Sequence, residues 1–154
     1  MKWMWKNTGS QSPYPAIQNL PEPEIQRSLA LKKLTGKLQN EKRYNILDLG
    51  SSVSQNIDFC SAFCQKLYIE DFYCTLSSFD FLSPEDGLSL DIVYQYLLPY
   101  KAETQFDIIL AWDLFNYLDE LEFRELMVHL GRFCRTNTLL FAFISTCKSI
   151  PERP

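Results

Sequence analysis

A chain of 154 residues, 46% of them hydrophobic, is long enough to bury one core and too short for two domains. Its 15 Lys and Arg are outnumbered by 19 Asp and Glu, giving a formal charge of -4. The basic residues are scattered, which leaves no electrostatic footprint for nucleic acid or an anionic lipid surface.

No stretch approaches the roughly 18 uncharged apolar residues of a membrane-spanning helix. Asn7, Thr8, Gly9 and Ser10 interrupt the start of the chain before the apolar core of a signal peptide can build. A cytoplasmic location is therefore expected. Residues 1–22 carry Pro13, Pro15 and Pro21 among Ser, Gln and Asn and read as an irregular arm. Within it Trp3, Met4, Trp5 and Tyr14 are aromatic and apolar residues that want cover from this domain or a partner.

Residues 23–154 read as one α/β domain. Ile25, Leu29, Leu34 and Leu38 recur at helical spacing opposite Lys32, Lys33 and Lys37, predicting an amphipathic helix over 23–40. Pro23 and Glu24 suit its first turn, and Gly36 weakens it by about 1 kcal/mol. Tyr44 to Leu49 is then a short apolar run that ends at Gly50, followed by small polar residues and a helical pattern from Ser54. A buried parallel strand turning sharply into a helix reads this way, with glycine at the turn and free N–H groups at the helix start. Ile57, Phe59, Cys60, Phe63 and Cys64 give that helix one apolar face, ending near Gln65. Leu67 to Ile69 is the next strand, and it finishes in Glu70 and Asp71. A right-handed crossover lays it parallel to the first, with Asp71 at the neighbouring tip, 21 positions after Gly50.

Phe79-Asp80-Phe81 reads as a third strand cut down to its tip, and Ser83 to Gly87 as a turn. Leu90, Val93, Tyr94, Leu97 and Leu98 predict a helix within 88–100. Phe106 to Trp112 is a continuous apolar run after one acid, Asp107, as in a central strand covered on both faces. Asp119 with Glu122 three positions on forms a capping box for a helix whose inner face is Leu121, Leu126, Leu130 and Phe133. Thr136-Asn137 is expected to turn the chain into a last buried strand, Leu139 to Ile144.

Strands alternating with helices predict a three-layer α/β sandwich with a mostly parallel, Rossmann-like sheet. Such sheets bind ligands beyond the strand carboxyl ends, where strand order reverses. Gly50, Asp71, Asp80 and Asp113 all fall at predicted carboxyl ends.

From about residue 24 to 146 the chain resembles class I S-adenosylmethionine-dependent methyltransferases. Their first motif is a strand ending in acidic-x-Gly-x-Gly-x-Gly. Asp48 and Gly50 match it, while Ser52 and Ser54 stand at the second and third glycines. The resemblance implies a cofactor site for S-adenosyl-L-methionine formed by Asp48, Gly50, Ser52, Asp71 on the ribose and Asp80 at the adenine, with Asp113 and Asn116 on the substrate side. It implies methyl transfer to a small molecule or protein side chain, with no obligatory side-chain base. An Asn-Pro-Pro-Tyr or Asp-Pro-Pro-Tyr signature is missing after Trp112, which argues against methylation of adenine or glutamine amino groups. The alternative is a scaffold that has lost the cofactor and acts through protein contacts. Each acid also has a plain structural role open to it, Asp48 as a cap for loop N–H groups above all. A nicotinamide-dependent oxidoreductase fits less well, because Ser52 and Gln55 break the Gly-x-Gly-x-x-Gly spacing.

The single histidine, His129, has no acid or cysteine at metal spacing, so a structural or surface residue and no metal site are expected. Five cysteines inside apolar patterns read as free buried thiols. The family continues after its equivalent of Leu139–Ile144 with a helix and an antiparallel hairpin. This sequence leaves no room for them, so the sheet is expected to lack the hairpin. That strand would expose an unpaired apolar edge, and the chain is expected to be a fragment of a longer protein or to need a partner, such as a second copy, along it.

Overall fold

The computed structural model describes residues 28–39, 41–52, 54–72, 74–75 and 89–146. The first helix, α1, spans Leu29–Gly36 and opens on Ser28, whose hydroxyl accepts from Leu31 N at 3.1 Å. That side-chain cap satisfies an N–H the first turn would otherwise orphan. Pro23 and Glu24, expected in the first turn, lie outside the described residues.

Strand β1 spans Tyr44–Asp48, helix α2 Ser54–Ser61 and strand β2 Cys64–Ile69. The helix stops earlier than expected because Cys64 already pairs with Tyr44 in the parallel β1–β2 ladder. Cys64 therefore belongs to the sheet. Helix α3 spans Leu90–Leu97, strand β3 Phe106–Trp112, helix α4 Glu120–Gly131 and strand β4 Cys134–Ala142. A 3₁₀ turn, Leu114–Tyr117, links β3 to α4. The expected strand Phe79–Phe81, the turn 83–87 and the arm 1–22 lie outside the described residues.

The sheet is entirely parallel, in the order β2-β1-β3-β4. Ile46, Ile108, Leu110 and Phe141 meet Leu34 of α1 and Cys60 of α2 on one face. Leu47, Leu49, Ile109 and Ala111 meet Val93, Tyr94 and Leu97 of α3 and Leu126 and Leu130 of α4 on the other. The three-layer sandwich is therefore present, and the unbroken apolar runs of β1 and β3 follow from cover on both faces.

At the amino end of β3 the ladder with β4 is irregular between Phe106 and Ile108. There the buried Asp107 carboxylate accepts from Asn45 N at 2.9 Å and is paired with Arg135, which compensates a charge that would be costly alone. The turn expected at Thr136-Asn137 is instead a kink inside β4. Asn137 takes a left-handed φ of 72°, which asparagine tolerates, and Thr138 Oγ1 donates to Phe106 O at 2.7 Å. The strand ends at Ala142, so Phe143 and Ile144 lie beyond it. β4 is an edge, and among the described residues no antiparallel hairpin follows. No described helix is long and apolar enough to cross a membrane.

Candidate functional site

Strand order reverses between β1 and β3, since β1 leads outward to β2 and the chain then returns to the other side of β1. The carboxyl ends of these strands form the expected ligand position of an open parallel sheet. The β1–β2 register pairs Asp48 with Ile69. Gly50 and Asp71 each lie two residues past that pair in sequence, and Glu70 N extends the ladder by donating to Asp48 O at 2.8 Å.

Asp48 is only 1% exposed. Its Oδ1 accepts from Gly50 N at 2.9 Å and from the indole Nε1 of Trp112 at 2.6 Å. Burial raises its carboxyl pKa, and the Trp112 and Gly50 hydrogen bonds pull the other way. It therefore caps the loop N–H of Gly50, the structural contact that the sequence left open to it.

A β-carbon placed on Gly50 would lie 2.6 Å from Trp112 Cδ1 and 2.9 Å from its Nε1. The glycine is what lets the indole settle there. Trp112 itself has a left-handed φ of 48°, an outlier for a bulky residue. Its ring packs at 5.7 Å from Phe141 and 6.4 Å from Phe143.

The other strand-tip acids also have partners within the chain. Asp71 Oδ1 accepts from Cys74 N at 3.0 Å, and Glu70 Oε1 accepts from the Tyr100 hydroxyl at 2.6 Å. Burial, with Glu70 beside it, pushes the Tyr100 hydroxyl well above the ordinary range. Ser52 is exposed on the loop before α2. Asp80 lies outside the described residues.

On the proposed substrate side, Asp113 is exposed at the end of β3. Asn116 is fully employed as a strut. Its Nδ2 donates to Asp113 O at 3.0 Å and Phe143 O at 2.9 Å, and its Oδ1 accepts from Ser145 N at 2.8 Å. Asp48, Gly50 and Asp71 thus gather at one end of the sheet with Asp113, while Trp112, Tyr100 and Phe143 enter as residues the sequence reading did not single out. The available signal was Trp112 itself, a large aromatic at the tip of a strand flanking a glycine turn.

A methyltransferase cofactor would need close backbone approach at Gly50. With the indole in that position, the residues do not fit the group in this conformation.

An open cleft of about 500 Å³ runs from Glu70 at the tip of β2, with Phe72 and Thr75, to Gln95, Tyr96 and Leu97 on the other side. His129 is buried between α3 and α4, its Nδ1 3.7 Å from Asp91 Oδ1, while Arg132 Nη2 sits 2.9 Å from the same oxygen. Burial and the Arg132 charge lower its pKa, in keeping with a structural histidine. Among the described residues no three His, Cys, Asp or Glu side chains converge as a metal site would require. Cys60 is buried and its thiol pushed up to about 12, chiefly by desolvation. Cys74 and Cys134 are exposed rather than buried, since one sits in the turn after β2 and the other starts the edge strand.

Comparison of the chain with protein-family models, with curated proteins and with solved structures finds no match.

Proposed function

We propose that the chain is a methyltransferase-like α/β scaffold, cytoplasmic, that acts through protein–protein contact and does not carry S-adenosyl-L-methionine. The observation that supports this reading is the Trp112 indole seated on Gly50 and hydrogen-bonded to Asp48. It occupies the one point where a glycine turn would admit a ligand against the backbone. Glu70 and Asp71, the acids placed to hold a ribose, already accept from Tyr100 and Cys74. The contact surface is the edge strand β4, where Leu140 is 44% exposed, together with Phe143 and Ile144 just past its end, 42% and 66% exposed. An unpaired apolar edge is a template for another strand, and the partner we assign to it is a second copy of the chain.

Calorimetric titration with S-adenosylmethionine and S-adenosylhomocysteine tests the first half of the reading, which expects no binding heat. Light scattering across a dilution series tests the second, and a single monomer mass at every concentration would remove the self-association.

A second reading is S-adenosylmethionine-dependent methyl transfer to a small molecule or protein side chain. It is supported by the β1–β2 register, which pairs Asp48 with Ile69 and so brings the ends of both strands to the same side of the sheet. Asp71 would then hold the ribose and Asp113 would border the substrate. Micromolar binding of either nucleoside by the unmodified chain would favour it over the scaffold.

A further inference from the structure

We propose that the open cleft between α3, the segment that follows it and the end of α4 is a binding site for a small, flat, uncharged amide, with His129 as one of its hydrogen-bond donors. The cleft measures about 550 Å³, within the range of small-molecule sites. Asp48, Gly50, Asp71 and Asp113 do not line it, so the inference goes beyond either reading of the strand ends.

The first observation is an orphaned atom. His129 lines the cleft and is only 2% exposed, and its Nε2 is covered without a hydrogen-bond partner. Buried polar atoms are nearly always paired, so an exception calls for a partner that the chain does not supply. The other ring nitrogen shows which kind of partner. Nδ1 lies 3.4 Å from Arg132 Nη1, and arginine can only donate. Asp91 Oδ1, at 3.7 Å, is too far to take a proton from Nδ1. Nδ1 is therefore the acceptor, and the neutral ring carries its proton on Nε2. Burial and the Arg132 charge favour that neutral ring, against smaller pulls from Asp91 and the Leu98 backbone. The orphan is thus a donor that lacks an oxygen.

The second observation is the balance of charge. Arg132, half-exposed in the lining, is matched by Asp91 at 2.9 Å, so the cleft has no net charge with which to draw an anion. Gln95 gives its Nε2 to Asp91 Oδ2 at 2.7 Å, which leaves its Oε1 to accept. A carbonyl for His129 and an N–H for Gln95 are the two ends of one amide group. The third observation is the wall. Phe133 stands edge-on to Tyr100 at 5.8 Å and to His129 at 5.5 Å, and Leu98 and Pro99 continue the apolar lining. Aromatic rings pack well in such edge-to-face clusters, so the body of the ligand is aromatic. Contact with Nε2 needs a small movement of the lining, since that atom is covered.

The test uses the full chain with benzamide as the probe and benzoate beside it. His129 is the single histidine, so its ring gives one pair of nitrogen NMR resonances. They are expected to report a neutral ring protonated on Nε2, and benzamide is expected to shift Nε2 more than Nδ1. A proton on Nδ1 instead, or an Nε2 resonance that benzamide leaves unmoved, overturns the site whether or not any variant folds. Benzamide is expected to bind about tenfold more tightly than benzoate, whose charge would be desolvated without a partner. Equal or tighter binding of benzoate overturns the uncharged class. His129→Phe keeps an aromatic ring and is expected to bind benzamide about tenfold more weakly, the scale of one lost hydrogen bond. Unchanged affinity removes His129 as the donor. Gln95 is exposed, so Gln95→Ala probes the second contact without disturbing the core. It is expected to weaken benzamide about threefold to tenfold, and an unchanged affinity overturns the pairing of the amide N–H with Gln95.

Discussion

Asn116 and Phe143 are joined across the ends of two parallel strands, the Asn116 Nδ2 donating to the Phe143 carbonyl at 2.9 Å. The same side chain accepts from Ser145 N, so one amide imitates the ladder partner that the chain beyond β4 would otherwise lack. Asn116→Ala removes both bonds. The expected loss is about 1–2 kcal/mol in urea unfolding, together with a red shift of Trp112 emission as Phe143 loosens. Unfolding at the parental midpoint would show that the strut carries no stability.

Gly50 is held glycine by sterics alone, because its backbone is not in the left-handed region. Gly50→Ala drives a β-carbon into the Trp112 ring, and overpacking of this kind costs about 1–3 kcal/mol. In a Trp112→Gly background the clash has no partner, so the cost should shrink toward zero in a double-mutant cycle. Equal losses in both backgrounds would mean that the indole is not what the glycine accommodates.

His129 makes stability depend on pH. Burial, then Arg132 just past the end of α4, lowers its pKa, against smaller opposing pulls from Asp91 on α3 and the Leu98 backbone. The unfolded chain therefore binds this proton more readily than the folded one. The stabilising difference is complete above the ordinary histidine value near 6.5 and is lost as pH falls below it. Denaturation midpoints from pH 8 to 5 should decline more steeply in the parent than in His129→Phe. Parallel profiles would remove His129 as the source.

Asp119 and Glu122 cap α4 reciprocally, Glu122 N donating to Asp119 Oδ1 at 2.7 Å and Asp119 N to Glu122 Oε2 at 2.8 Å. Asp119→Ala is expected to lower stability by about 1 kcal/mol, with Asp119→Ser recovering most of it. Failure of serine to rescue would show that the aspartate acts through its charge rather than as an acceptor.

That capping box was legible in the sequence because its two residues are three positions apart and the chemistry is local. The same holds for the apolar runs of β1 and β3 and for the glycine turn at Gly50. The early end of α2 was not legible, because the ladder partner that claims Cys64 is Tyr44, and a helical pattern cannot register a competing strand. Asn137 reads as a turn in the sequence, since a kink within a strand and a turn before one use the same residue types. At the candidate site, the positions of Asp48, Gly50 and Asp71 followed from strand order. Their partners did not. Trp112 reaches Asp48 from 64 positions away and Tyr100 reaches Glu70 from 30, and nothing in the spacing of a single chain reveals which aromatic will turn inward.

The β1–β3 pairing has a further consequence for how the chain assembles. β1-α2-β2 and β3-α4-β4 are each a short-range parallel unit, and their strands pair along Ile46, Leu47 and Asp48 against Ile108, Ile109 and Leu110. That seam is pinned at one end by Asp107 on Asn45 N and at the other by Asp48 on the Trp112 indole, contacts spanning 62 and 64 positions. Both clasps bridge the two halves, so their loss falls on docking rather than on either half. Forming either clasp must overcome the entropy of closing a long intervening loop.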